Sequence, residues 1–275
     1  MNMPNISQLS SLIRLLEDVS IRDTVMNELA SFGPSLEKEI ERQGIPLSAV
    51  NALLLRPLFA HYPSWLKDSW TSWLLKKSDN EQLETALDLL ARFQYGRLYP
   101  VSLRTLLDNL ADEYDSRYAR RDALDLSEFL FQGYALRGVD EDDFYNPLNS
   151  NLVYVIEQKR GIPISLACVY ILVGDRLELK IEGCNFPGHF LAVASTRQDK
   201  VLVDCYNGGR TISKETLANA KAKLSGFDIL RLKCTAGMIV ARVLHNLVAQ
   251  YESTGDVESA SIMNELLRTL KGVRA

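Results

Sequence analysis

The chain has 275 residues, of which 47% are apolar and 24% charged, with a formal net charge of −4 and a pI near 5.5. That composition belongs to a folded chain with a sizeable core and excludes intrinsic disorder. The acidic balance argues against a nucleic-acid partner, whose phosphates call for a strong cationic excess; the pair Lys76-Lys77 reads as a helix end.

The N-terminal run MNMPNISQLSSLIRLLEDV has no basic leader ahead of an apolar stretch, and no uncharged apolar run is long enough to span a bilayer. A cytoplasmic chain that makes no membrane contact is therefore expected. None of the four cysteines forms a CxxC pair, so they read as free thiols. The three histidines, His61, His189 and His245, are far apart and outside any HExxH motif, so no metal site or other cofactor is expected.

Residues 6 to 30 carry Ile6, Leu9, Leu12, Ile13 and Leu16 near helical period and read as one helix or two, stopped at Gly33-Pro34. SLEKEIERQ predicts a helix with Ser35 as its cap and Gly44 as its stop, and Pro46 to Leu55 predicts another. Trp65, Trp70 and Trp73 fit helices buried on one face, with a ligand groove as the competing reading. YPVSLRTLLDNLADEYDSR predicts an amphipathic helix capped at Ser102, and LDLSEFLFQGYALRG is helical or mixed.

The acidic run Asp140 to Asp143 and the following YNPLNS mark a loop; its ligand spacing does not suit calcium. Ser150 is the expected cap of NLVYVIEQKR, and Gly161 its stop. Pro163 suits the first turn of the next helix, ISLACVYILVGDRL, which is so apolar that it must be central and buried. Two strands are expected next, KIEGCNFPGHFLAVAS and KVLVDCYNGG, with a return to helix at RTISKETLANA. From Gly237 the pattern gives two antiparallel helices broken at Gly255, with Asp256 as a cap and Ala241, Leu244, Leu247 and Val248 as an inner face.

The chemistry concentrates in that middle segment. His189, at a strand start after Pro187-Gly188, can act as an acid or base near neutral pH. Asp204, ending the VLVD strand, needs a donor and can fix the tautomer of a neighbouring imidazole. The nucleophile is the missing part. Ser165 is the nearest hydroxyl, near the helix start, where a helix-end hydrogen bond is the simpler reading. Cys168 lies a turn deeper among apolar neighbours, Cys184 lies beside the NFPGHF turn, and Cys205 should face away from Asp204. Asn207-Gly208-Gly209 is a turn signal that can also form an anion-binding nest.

The run FYNPLNSNLVYVIEQKRGIPISLACVYILVGDRLELKIEGCNFPGHFLAV, continuing to VLVDCYNGG, resembles the SirB1 family of transglutaminase-like, tetratricopeptide-containing proteins, most strongly over residues 144 to 210. The resemblance implies an α+β fold with a papain-like core and a Cys-His-Asp triad, in which His189 and Asp204 take the last two places. The cysteine place falls on Pro163, or with a two-residue shift on Ser165, so the family-wide thiol is lost.

The implied division is a helical N-terminal region (1–143), a transglutaminase-like core (144–234) and a tetratricopeptide-like C-terminal helical hairpin (235–275). The implied role is a degenerate, non-catalytic protein that binds a protein or peptide partner. The alternative is a hydrolase or acyltransferase that uses His189 and Asp204 with Ser165 or a displaced cysteine. Sequence alone leaves the oligomeric state open.

Overall fold

The computed structural model describes residues 8–59, 62–186, 189–197, 199–212 and 234–272. The chain divides into two compact units, one built from residues 1–70 and 89–102, the other from 71–88 and 103–275. His61 lies outside the described residues.

In the first unit the periodic residues at the chain start form two helices, α1 (Leu9–Leu15) and α2 (Arg22–Ala30), followed by α3 (Leu36–Gln43), α4 (Ala49–Leu55) and α5 (Tyr62–Ser69). Leu9, Ile13, Leu16, Val25, Leu29, Leu36, Ile40 and Leu55 form one buried cluster. Spacings of three and four residues are what put these side chains on one helix face. Gly44 ends α3 in the left-handed conformation with φ 61°, and Ser48 caps α4 through Asn51 N–H. Ser35 does not cap α3; its hydroxyl donates back to the Phe32 carbonyl. Trp65 is half-buried beneath the Arg97 guanidinium, 5.5 Å from the ring centroid.

Helix α6 (Asp79–Tyr95) gives residues to both units. Its start is a capping box: Ser78 Oγ accepts from Glu81 N, and Glu81 Oε2 accepts from Ser78 N, both at 3.1 Å. In the second unit α7 (Leu103–Arg117), α8 (Ala123–Glu128), α9 (Leu152–Gln158) and α10 (Pro163–Arg176) surround the core. The segment read as helical or mixed is α8 followed by a π-helical turn, Phe129–Gly133, and a short strand, β1 (Arg137–Gly138). The acidic stretch expected as a loop holds two 3-10 turns, Glu141–Asp143 and Pro147–Ser150.

Two boundaries around α9 differ from expectation. Its cap is Asn151, whose side chain accepts from Val153 N and Tyr154 N, because Ser150 is drawn into a buried bond to Gln250. Its end is Lys159, left-handed at φ 57°; Arg160–Gly161 is strand β2, paired in parallel with β1. Gly161 is needed for another reason: a Cβ there would lie 2.9 Å from the Val155 side chain.

Helix α10 is the centre of the unit. Every residue from Ile164 to Gly174 is buried. It packs on a four-stranded antiparallel meander, β3 (Ile181–Cys184), β4 (Leu191–Ser195), β5 (Lys200–Asp204) and β6 (Arg210–Ile212). The first expected strand is thus two strands, and Arg210–Ile212 is a strand where a helix was expected; residues 213–233 lie outside the described residues. Gly174 permits the helix to meet the sheet, since a Cβ there would stand 2.5 Å from Ile181 Cδ1. Alternation puts Cys184, Leu191, Val193 and Leu202 in a cluster on the opposite face.

The C-terminal hairpin is α11 (Ala236–Ser253) and α12 (Val257–Gly272), with Gly255 at φ 78° between them and Asp256 Oδ1 accepting from Ser259 N at 3.0 Å. The buried face of α11 is Ile239, Val240, Val243, Leu244 and Leu247; Ala241 and Val248 are only half-buried, a rotation of the expected inner face. No described helix is long and apolar enough to cross a membrane. The protein has an α+β fold.

Candidate functional site

The antiparallel register of β4 and β5 brings the start of one strand beside the end of the other, because Ala192 pairs with Val203. Asp204 closes β5, and His189 stands two residues before β4 begins, in the turn that precedes it. Their side chains meet, with His189 Nε2 2.9 Å from Asp204 Oδ1. Both are partly withdrawn from solvent, with side-chain exposures of 27% and 15%.

Asp204 is held from several sides. The Asn207 backbone N–H donates to Oδ1 at 3.1 Å and the Asn207 side-chain amide donates to Oδ2 at 2.8 Å. Burial pushes the Asp204 carboxyl up, but His189 and the two Asn207 donors outweigh it and hold the group below the usual carboxylate range. The turn that supplies Asn207 is fixed by two consecutive left-handed glycines, Gly208 at φ 78° and Gly209 at φ 72°. A Cβ at Gly209 would stand 2.5 Å from Ser127 Oγ. Gln132 Nε2, on the π-helical turn, donates to the Gly208 carbonyl at 2.7 Å, and Ser127 Oγ donates to that of Gly209 at 3.1 Å. The N–H groups of Asn207 and Gly209 both bond to Asp204, so they are not turned outward as an anion nest would require.

Tyr206 forms the other wall. Its ring meets that of His189 edge-on, with centroids 6.1 Å apart and planes at 83°. Its hydroxyl donates to the Val139 carbonyl at 2.6 Å. Tyr206, Asn207, Ser127 and Gln132 escaped the sequence reading as members of this site. The Asn-Gly-Gly turn signal was visible, but nothing in the sequence shows which carboxylate its asparagine grips.

The candidate nucleophiles lie elsewhere. Ser165 is 2% exposed, and its hydroxyl donates to the Asn149 backbone carbonyl at 2.7 Å; no hydrogen bond among the described residues joins it to His189. Pro163 occupies the first position of α10 and offers no side-chain chemistry. All four thiols are free and buried. Burial pushes the Cys168 and Cys205 thiols well up and the Cys184 thiol up to about 12; Cys234 is raised as well, also chiefly by burial. A thiol so placed stays protonated near neutral pH and is a poor nucleophile. The His189–Asp204 pair can accept, hold or relay a proton, but among the described residues no hydroxyl or thiol is bonded to it. Among the described residues no group of three or more His, Cys, Asp or Glu side chains is arranged to hold a metal ion. His245 is exposed on α11.

The chain resembles known proteins. A family model described as the transglutaminase-like superfamily matches residues 100–245. A UPF0162 protein of Xylella fastidiosa strain 9a5c is 31% identical over 209 residues, which cover 70% of this chain and 73% of the relative. A UPF0162 protein of Pseudomonas aeruginosa is 29% identical over 143 residues, covering 50% of this chain and 52% of its own. F-box only protein 21 of Mus musculus is 28% identical over 137 residues, 46% of this chain and 21% of that longer protein. No solved structure matches. The helix that begins at Pro163, the strands that bring His189 to Asp204 and the first part of α11 all fall within the matched residues, and the protein is a member of the transglutaminase-like superfamily.

Proposed function

We propose that the protein is a degenerate transglutaminase-like module of the SirB1 group that binds a protein or peptide partner and performs no acyl transfer of its own. The observation that carries this reading is the engagement of Ser165. Its hydroxyl is buried and donated to a backbone carbonyl, so it offers no attacking oxygen to His189. A serine nucleophile needs a base within hydrogen-bond reach, and the acidity of a hydroxyl is too low for a helix dipole to substitute for one. The buried thiols support the same reading.

On this reading His189, Asp204 and Ser165 are a degenerate triad: the first two keep the partner geometry and the third has become a strut. The likeness to F-box only protein 21 supports a modular use, since the matched stretch takes up about a fifth of that chain. The tetratricopeptide-like character of the C-terminal hairpin belongs to the same proposal, as does a cytoplasmic setting.

The test is turnover of ester and amide probes by wild type, Ser165→Ala and His189→Ala, with folding checked by circular dichroism. Wild-type turnover at the level of His189→Ala is expected. Turnover that disappears in both variants while the fold persists would establish the hydrolase or acyltransferase alternative instead.

A further inference from the structure

A cavity of about 410 Å³ lies within the second unit, between the start of α6, the end of α10, strand β3 and the start of α11. That volume falls within the range of about 300–1,000 Å³ common to ligand pockets. Neither His189 nor Asp204 lines it. From β3 it takes Ile181, Glu182 and Gly183, while Cys184, at the end of the strand, pairs with Leu191 beside the dyad. The floor is apolar: Leu83, Ile171, Ile181 and Ile239 are all buried. Among the described residues the lining carries four carboxylates, Asp79, Asp175, Glu178 and Glu182, and one cation, Lys180.

Helix stability accounts for Asp79 but not for the acids at the end of α10. The start of α6 is capped by the Ser78–Glu81 box, and Asp79 in its first turn is a carboxylate that the helix dipole favours. Asp175 lies in the last turn of α10 and Glu178 just beyond it, where the negative end of the helix dipole disfavours a carboxylate. Glu182 has a cation of its own, Lys200 at 3.3 Å, and Glu178 has Arg121 at 3.9 Å. Asp79 and Asp175 form no ion pair among the described residues. Asp175 is held by the neutral amide of Asn80, whose Nδ2 donates to Oδ1 at 2.6 Å. That bond orients the carboxylate without neutralising it.

We propose that this cavity receives an arginine side chain of a protein partner. The aliphatic stem lies over the apolar floor and the guanidinium sits between Asp79 and Asp175. A long cationic side chain buries its stem while its head stays at a polar rim. Arginine suits two carboxylates carried on different helices better than lysine does, because its planar fork presents donors in more than one direction and is less strongly hydrated. The site goes beyond the reading of the dyad and stands whether or not His189 supports catalysis.

The cavity carries its own reporter. Cys234 lines it at 6% exposure, while Cys168, Cys184 and Cys205 are each 0% exposed. Slow alkylation of the folded full-length protein, read by peptide mass spectrometry, therefore follows Cys234. The probe is acetyl-leucyl-arginine amide, compared with its citrulline counterpart, a neutral near-isostere, and its lysine counterpart. Calorimetric titration gives the affinities. The arginine probe is expected to bind, to slow Cys234 alkylation in proportion to occupancy, and to lose affinity about tenfold in Asp175→Asn and in Asp79→Asn. Asp204→Asn, at the dyad, should bind as wild type. Equal binding of the citrulline or lysine probe, binding without protection of Cys234, or unchanged affinity in both rim variants would each overturn the assignment. Loss of affinity in Asp204→Asn with its fold intact would overturn the placement of the site away from the dyad.

Discussion

Ser165 and Asn149 are joined by a hydrogen bond between a side-chain hydroxyl at the start of α10 and a backbone carbonyl 16 residues earlier, at 2.7 Å and with both residues buried. The bond ties the 3-10 turn that precedes α9 to the central helix. Ser165→Ala removes the donor and leaves that carbonyl buried without it. The expected cost is about 1–3 kcal/mol, measured as a shift of the urea midpoint with unchanged slope. A variant as stable as wild type would remove the structural role assigned to this hydroxyl.

The Asp204 carboxyl is held below its usual range in the folded protein, so its bonds stabilise the fold where it is ionised. The unfolded value is about 3.9. A depressed folded value means the contribution is present above that pH and is lost as pH falls through the folded value. Asp204→Asn should therefore be less stable than wild type by about 1–3 kcal/mol at pH 6, and the difference should shrink steadily below about pH 4. Denaturation of both proteins at pH 6, 4 and 3 checks the sign. A difference that grows on acidification would contradict it.

Gly209 and Gly44 are both left-handed, but only Gly209 faces a wall. A Cβ there meets Ser127 Oγ at 2.5 Å and Phe131 Cδ2 at 2.6 Å, whereas at Gly44 there is nothing within 4 Å. Gly44→Ala should cost about 1 kcal/mol from backbone conformation alone. Gly209→Ala should cost about 2–4 kcal/mol, since overpacking adds to the same backbone term. It should also shift the His189 ring resonances, because the turn that carries Asn207 has to move. Equal costs for the two substitutions would show that the contact with Ser127 is easily relieved.

Cys168 is fully buried in α10, and burial raises its thiol far above the ordinary value. A thiol reagent should modify it only after unfolding, and Cys168→Ala should cost about 1 kcal/mol through a small cavity. Rapid labelling of Cys168 in the folded protein would show that α10 opens to solvent.

Much of this fold is legible because it follows from local pattern. The apolar run after Pro163 could only be central, and a carboxylate ending the strand VLVD needed a donor. The misread details each depend on pairing that the local pattern does not carry. Ser150 loses its capping role to Asn151 because Gln250 binds its hydroxyl at 2.8 Å from exactly 100 residues away in the chain. Arg210–Ile212 is a strand because β5 offers it a ladder edge, with Leu202 facing Ile212, a pairing that composition does not encode. The first expected strand contains an internal reversal that turns the chain back, so Ile181 comes to face Ala194. Tyr206 is the clearest omission: its place beside His189 depends on a carbonyl at Val139, 67 residues earlier.

That last contact carries a consequence for how the sequence can drift. A Cβ at Gly138 would enter the Tyr206 ring, at 2.6 Å from Cε2, just where the tyrosine reaches across to the neighbouring Val139 carbonyl. The two positions are therefore one steric unit. A descendant that acquires a side chain at 138 has to shrink the ring at 206 or displace the short parallel pair of strands. Substitutions at the two places should therefore enter a lineage together, and an alanine introduced at 138 should be tolerated far better once 206 carries a small residue.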